Sequence, residues 1–162
     1  MLLGCAIAVA ASFGASLGAA AQAVAPAVPP SSALQGEGYA ALTPARLLDT
    51  RPGGTTADGV GVGAGAVGAG EVVKVKVLGR GGVPATGVGS VALHVTAVGQ
   101  TERTFVTVYP TGIAWPGTSN LNPIPGMVAS NLVIVPVGAG GEVSLYNSDG
   151  NVQLIVDVTG WF

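Results

Sequence analysis

Glu71-Val-Val-Lys-Val-Lys-Val-Leu78 decides the fold class. Val73, Val75 and Val77 fall on one side of an extended chain, with Lys74 and Lys76 on the other. A period of two is what a half-exposed β-strand presents, because successive side chains point to opposite faces of the sheet. The pattern recurs outward from this stretch. Ser90 to Val98 sets Val91, Leu93, Val95 and Ala97 against His94 and Thr96. Thr104 to Tyr109 is another strand, closed by Pro110-Thr111-Gly112. Glu142 to Asn147 and Val152 to Thr159 flank Ser148-Asp149-Gly150-Asn151, whose Asp-Gly pair suits a tight hairpin turn. In the last strand Val152, Leu154, Val156 and Val158 share a face opposite Asp157. Ser130 to Val137 is more continuously apolar and is expected to be covered on both faces. Strands bounded by turn residues, with no helical crossover between them, predict an all-β domain: an antiparallel β-sandwich, jelly-roll-like.

Ahead of the strands, residues 1–23 form an apolar run of Leu, Ile, Val, Ala and Gly that ends in Ala21-Gln22-Ala23. Small residues at the last and third-last positions meet the requirement of a signal-peptide cleavage site, so export is expected. A membrane anchor is the rival reading, weakened by the Gly, Ser and Gln in the run and by the lack of a basic cluster after it. The single cysteine, Cys5, lies in a Leu2-Leu3-Gly4-Cys5 stretch that resembles a lipoprotein box, although only four residues precede it. Residues 24–38 hold Pro, Ala, Ser and Gly without apolar periodicity and read as a flexible linker to a domain over residues 39–162. That domain has no thiol, so its stability has to come from packing and hydrogen bonds.

Composition narrows the function. A net charge of -2 leaves no basic patch for nucleic acid or an anionic membrane surface. One histidine caps the number of catalytic triads, and His94 sits mid-strand between Leu93 and Val95, where a structural role is the simpler reading. No Gly-x-Ser-x-Gly elbow occurs. One His and no Cys in the domain do not make a metal site, so neither metal nor cofactor is expected. Thr55 to Gly70 contains a literal G-x-G-x-x-G at Gly63, Gly65 and Gly68. A strand rather than a helix follows it, so it lacks the helix N-terminus on which a pyrophosphate would sit. It is expected to be a mobile excursion between strands.

Charged residues make up only 9 % of the chain, against about 25 % in ordinary soluble domains. Three of them, Arg46, Asp49 and Arg51, crowd into Ala41-Leu-Thr-Pro-Ala-Arg-Leu-Leu-Asp-Thr-Arg51. Asp49 and Asp157 are the two acids set among apolar neighbours, and each is expected to pair with an arginine. Asp157 on the last strand is expected to meet Arg46 or Arg51 on the first, in a structural ion-pair network that ties the two ends of the domain together. The other acids fall at strand ends or turns. Aromatic residues are 5 % of the chain, so one held on a loop is informative. Trp115, in Gly112-Ile-Ala-Trp-Pro-Gly117, is a platform for a sugar ring or a partner surface, or else a lid folded over one end of the sandwich. Tyr109, Asn120 and Asn122 are the neighbouring candidates for binding, the asparagines doubling as turn residues. Trp161 and Phe162 read as a plug at the end of the core.

The landmarks in order are Ala41–Arg51, Gly82-Val-Pro-Ala85, His94-Val-Thr96, Val108-Tyr-Pro110, Ser119-Asn-Leu-Asn122, Ser130–Pro136, Leu145-Tyr-Asn-Ser148 and Asp157-Val-Thr-Gly-Trp-Phe162. Together they resemble a β-domain of secreted and cell-wall-associated actinobacterial proteins that opens with "TPARLLDTR" and closes with "DVxGYF". The resemblance spans nearly all of residues 39–162. His94 replaces the usual asparagine, and Trp161 replaces the usual tyrosine. The resemblance implies an accessory surface module and brings no catalytic residues with it. The expectation is a secreted, non-enzymatic module at the cell surface that binds an envelope glycan or surface protein. The alternatives are a self-associating scaffold that uses exposed edge strands, and an envelope-polymer hydrolase.

Overall fold

The computed structural model describes residues 38–162. The signal-peptide reading, Cys5 and all but the last residue of the linker lie outside them. Seven strands form: β1 (Ala40–Asp49), β2 (Val72–Lys76), β3 (Ser90–Val98), β4 (Val106–Pro110), β5 (Ala129–Pro136), β6 (Glu142–Asn147) and β7 (Gln153–Trp161). They make two antiparallel sheets, ordered β1-β7-β3-β5 and β2-β6-β4. The fold is a β-sandwich with the strand order of a jelly roll, whose full form has eight strands. The place of the missing strand, at the free edge of β4, is held by the β4–β5 connection. Val106 pairs there with Leu121, and the Asn120 side-chain oxygen accepts the Val108 N–H at 2.7 Å.

The core lies where the alternation puts it. Val75, Val91, Leu93, Val95, Val106, Val143, Leu145, Leu154, Val156 and Val158 are buried between the sheets. Fully burying one such side chain contributes about 1.5–3 kcal/mol. β1 departs from simple alternation through two bulges against β7. The first takes in Leu42-Thr43-Pro44, where proline's missing N–H does no harm to the ladder. The second inserts one extra residue between Arg46 and Leu48. Leu47 and Leu48 are therefore both buried, and Arg46 is turned outward opposite Asp157.

Two sequence expectations are corrected. β5 is an edge strand with one face in solvent: Leu132 and Ile134 are 56 % and 60 % exposed. Its apolar run reflects an uncovered outer face, not burial on both sides. The glycine-rich connection is no loose excursion. It runs along the free edge of β1, where Gly61 O accepts the Asp49 N–H (2.9 Å), Asp49 O accepts the Gly63 N–H (2.8 Å) and Thr50 O accepts the Gly65 N–H (3.0 Å). Glycine suits this close approach: a Cβ on Gly61 would come within 2.9 Å of Leu47 O.

At the other end of the molecule, the Tyr39 ring lies over Gly160 and against Phe162, at 5.0 Å between centroids. Trp161 packs against the core, while Phe162 stays partly exposed in this cap. Gly138, between β5 and β6, sits tightly against the backbone of Thr111. The two glycines predict different costs. Gly138→Ala meets main-chain atoms that cannot yield and is expected to lower stability by about 3 kcal/mol. Gly160→Ala meets first the ring of a half-exposed tyrosine, a side chain that can swing aside, and is expected to cost about 1 kcal/mol. Denaturant midpoints of the two variants check the ranking.

Candidate functional site

Two groupings of polar and aromatic side chains stand out, one on each outer face. On the four-stranded sheet the β1 bulge aims Arg46 across at Asp157 of β7. Arg46 Nε donates to Asp157 Oδ1 at 2.8 Å and a terminal nitrogen donates to Oδ2 at 3.2 Å, a two-pronged contact. Its other terminal nitrogen reaches Asp49 Oδ2 at 3.3 Å. Arg51 grips Asp49 in the same forked way, through Nε (2.9 Å) and a terminal nitrogen (2.8 Å), and adds its backbone N–H at 3.2 Å. Asp49 is 0 % exposed. Arg46, Asp49, Arg51 and Asp157 are thus brought together, and their charges are spent on one another.

The turn Arg51-Pro52-Gly53-Gly54 makes this possible. Gly54 N–H donates to Arg51 O at 3.0 Å, and Gly53 has a φ of +73°. Proline and then a positive-φ glycine at the two central positions suit a type II turn. A Cβ on Gly54 would lie 2.5 Å from the Asp49 carboxyl carbon. A hollow of about 490 Å³ lies beside this network between Pro44, Arg46, Thr55 and Asp157. It is shallow, and the charges at its floor are already neutralised, so it offers a ligand little.

Two further polar anchors were not singled out by sequence reading. Arg80 donates to both oxygens of Asp58 (2.7 and 2.8 Å) and to the carbonyls of Leu47, Val60 and Lys76. It locks the glycine-rich segment to the extra residue of the β1 bulge. Asn147, fully buried, donates to the carbonyls of Val67, Gly68, Asp149 and Gly150 and accepts the Thr104 hydroxyl at 2.6 Å. Scarcity of charge was the available signal for Arg80. Nothing in the pattern marked Asn147 as a hub.

The aromatic grouping lies on the outer face of β2-β6-β4. Outward positions on β4 and β6 bring Thr107 and Tyr146 side by side in register, with Phe105 just before β4. The long connection after β4 folds back and sets Trp115 over them. The indole N–H donates to Thr107 Oγ1 at 3.1 Å. Its ring lies 6.0 Å from Phe105, near-parallel at 21°, and 5.1 Å from Tyr146. Trp115 is held on one side and remains 46 % exposed on the other. The indole therefore lies held against the outer face of a sheet, and not over the end of the sandwich.

Two hollows flank Phe105. One, of about 310 Å³, lies between Phe105, Trp115, Gly117, Thr118 and Ser119. The other, of about 240 Å³, is lined by Arg103, Thr104, Asn122 and Asp149. Asn122 is therefore near the platform on its polar side. Two candidates do not contribute an open surface. Tyr109 is only 7 % exposed. Asn120 spends its side-chain oxygen on Val108 to complete the β4 edge. His94 is exposed on the opposite sheet, with Asp157 and Leu132 as its cross-strand neighbours. Among the described residues no three His, Cys, Asp or Glu side chains gather in a metal-binding arrangement, and no helix is long and apolar enough to cross a membrane.

The chain matches no protein-family model, no curated protein and no solved structure.

The ionic network predicts a fold that loses stability in acid. The hydrogen bonds from the Arg51 side chain, opposed by burial and helped by the Arg51 backbone N–H and both arginine charges, hold the Asp49 carboxyl below its ordinary 3.8. Arg80 holds Asp58 lower still, with the Val60 N–H assisting. A carboxyl depressed in the folded state stabilises fully above its unfolded value and loses that contribution as pH falls through its folded value. Thermal midpoints should therefore hold steady down to about pH 4–5 and drop below that. Asp49→Asn should cost about 3 kcal/mol at neutral pH and flatten part of the acid drop, the Asp58 share remaining. Asp157→Asn breaks a part-exposed pair and should cost less, about 1–2 kcal/mol. Equal losses at the two positions would contradict the central place given to Asp49.

Proposed function

We propose that this protein is a secreted, non-catalytic cell-surface module that binds a glycan of the cell envelope through the Phe105–Trp115–Tyr146 platform. The observation that carries the reading is the posture of Trp115. Its inner edge is hydrogen-bonded to Thr107, its ring is braced by two aromatics, and its outer face is open. Sugar rings present C–H groups on one face and hydroxyls around the rim. An exposed indole covers the first, and Arg103, Asn122 and Asp149 offer donors and acceptors for the second. Because the indole is already fixed, little side-chain freedom is left to lose on binding.

Export is supported by the apolar residues 1–23 with Ala21-Gln22-Ala23 at their end, and cell-wall association by the resemblance of residues 39–162 to the actinobacterial β-domain. The scarcity of unpaired polar groups supports a binding role over a hydrolytic one: the four most crowded ionic side chains are bonded to one another. A surface protein remains a second class of partner for the same platform.

Trp115→Ala is expected to weaken retention on purified, protein-free cell-wall polysaccharide by about tenfold or more. Sedimentation with the insoluble polymer measures this, with the thermal midpoint recorded to show that the fold survives. Undiminished retention in the variant would dismiss the platform. Retention lost only after protein is stripped from the wall would move the reading to a protein partner.

A further inference from the structure

Of the four sheet edges, three are covered or defended. The glycine-rich segment lies along β1, Asn120 and Leu121 lie along β4, and the five-residue β2 carries Lys74 and Lys76 on its outer face. Short length, lysines and covering segments are the ordinary ways a sheet avoids pairing with strangers. β5 has none of these, and its one edge-blunting residue, Pro136, stands at its last position. The strand is eight residues long, and neither it nor the residue after it is charged. Met127 and Val128, just before it, are exposed as well.

The free edge can be read residue by residue. Val137 N–H donates to Gly89 O at 3.0 Å, which marks that pair as hydrogen-bonded to the β3 side. Alternation along an antiparallel ladder then turns the backbone groups of Asn131, Val133 and Val135 toward β3. Those of Ser130, Leu132 and Ile134 point the other way, together with the Pro136 carbonyl. Side chains alternate with the same period, so the residues with unpaired backbone are also those with exposed apolar side chains. Val133 and Val135 face the core.

We propose that β5 pairs antiparallel with β5 of a second copy of this chain, about a two-fold axis at Val133, joining two four-stranded sheets into one. In this register Leu132 lies opposite Ile134 of the second copy, and Ile134 opposite its Leu132, each pair exchanging N–H and C=O. Ser130 donates to the Pro136 carbonyl of the second copy, while proline, lacking an N–H, returns no bond, so the Ser130 carbonyl at each end of the ladder is left to water. The outer-face side chains of Leu132 and Ile134 come together across the junction and leave water. No charge faces a like charge, because the strand has none. The two-fold contact uses up both open edges, and the far edges, along β1, are already covered by the glycine-rich segment. Association therefore stops at two copies and does not run on into a fibre. This inference stands apart from the aromatic platform, which lies on the other sheet.

Two measurements on the full-length chain test it. In sedimentation velocity the wild type is expected as a dimer, and Ile134→Lys, which sets a charge against the second copy at an already exposed position, as a monomer with an unchanged circular dichroism spectrum. Leu132→Lys serves as the second variant. In hydrogen exchange the Leu132 and Ile134 amides are expected to slow as protein concentration rises. A wild-type monomer at high concentration, a lysine variant that still dimerises, or a dimer in which those two amides exchange as fast as in the dilute chain would each overturn the proposal. Association driven by residues 1–37 would leave the amides unprotected and is thereby distinguished.

Discussion

β1 is organised around one buried negative charge. Enclosing an ionised carboxylate without partners costs several kcal/mol, so the sequence around Asp49 is constrained to deliver guanidinium groups to it from both directions. Arg51 arrives from the following turn, which needs Pro52 and Gly53 to double back and a side-chain-free Gly54 to leave the carboxylate its space. Arg46 arrives from three residues earlier, on the outer face only because the bulge breaks the alternation between it and Leu48. Arg46 in turn carries the interaction on to Asp157, so the first and last strands share one chain of hydrogen bonds. The compact run from Pro44 to Gly54 is thus a set of mutually required parts.

Much of the architecture could be read from the sequence because the signal was simple. Where a strand has one face in the core and one in water, as in Val73–Val77 or Val152–Val158, period two reports it directly. The reading failed where apolar residues were exposed for another reason. Leu132 and Ile134 gave β5 the look of a doubly covered strand, since a pattern of residue types cannot tell a buried side chain from one standing at an open edge. It failed again at the glycine-rich segment, where low complexity resembled looseness. Glycine was needed there at Gly61 for close approach to Leu47 and Leu48, and the ordering comes from Arg80, remote in sequence.

The candidate surface was half legible. Trp115 stood out because aromatics are rare in this chain and it lies between Gly and Pro. Its bracing by Phe105 and Tyr146 depends on the pairing of β4 with β6, which no local pattern reveals. Asn120, readable as either a binding amide or a turn residue, has a further role that no local pattern announces. It takes part of the place of a strand, because the jelly roll lacks one and β4 would otherwise show bare backbone. Polar residues in a chain this poor in charge are committed mostly to closing gaps in the sheets, and few remain to meet a ligand.

The pairing of Ala40 with Trp161 has a mechanical meaning. β1 and β7 are antiparallel neighbours whose outer ends lie at the same pole of the molecule, so tension applied at both ends peels the two strands apart one rung at a time. Peeling resists pulling far less than shearing, in which all rungs are strained at once. The first firm stop on that path is the forked Arg46–Asp157 contact, beyond the Pro44 bulge. Under tension the outermost rungs would give way first, with the core and the aromatic face still intact behind that rivet.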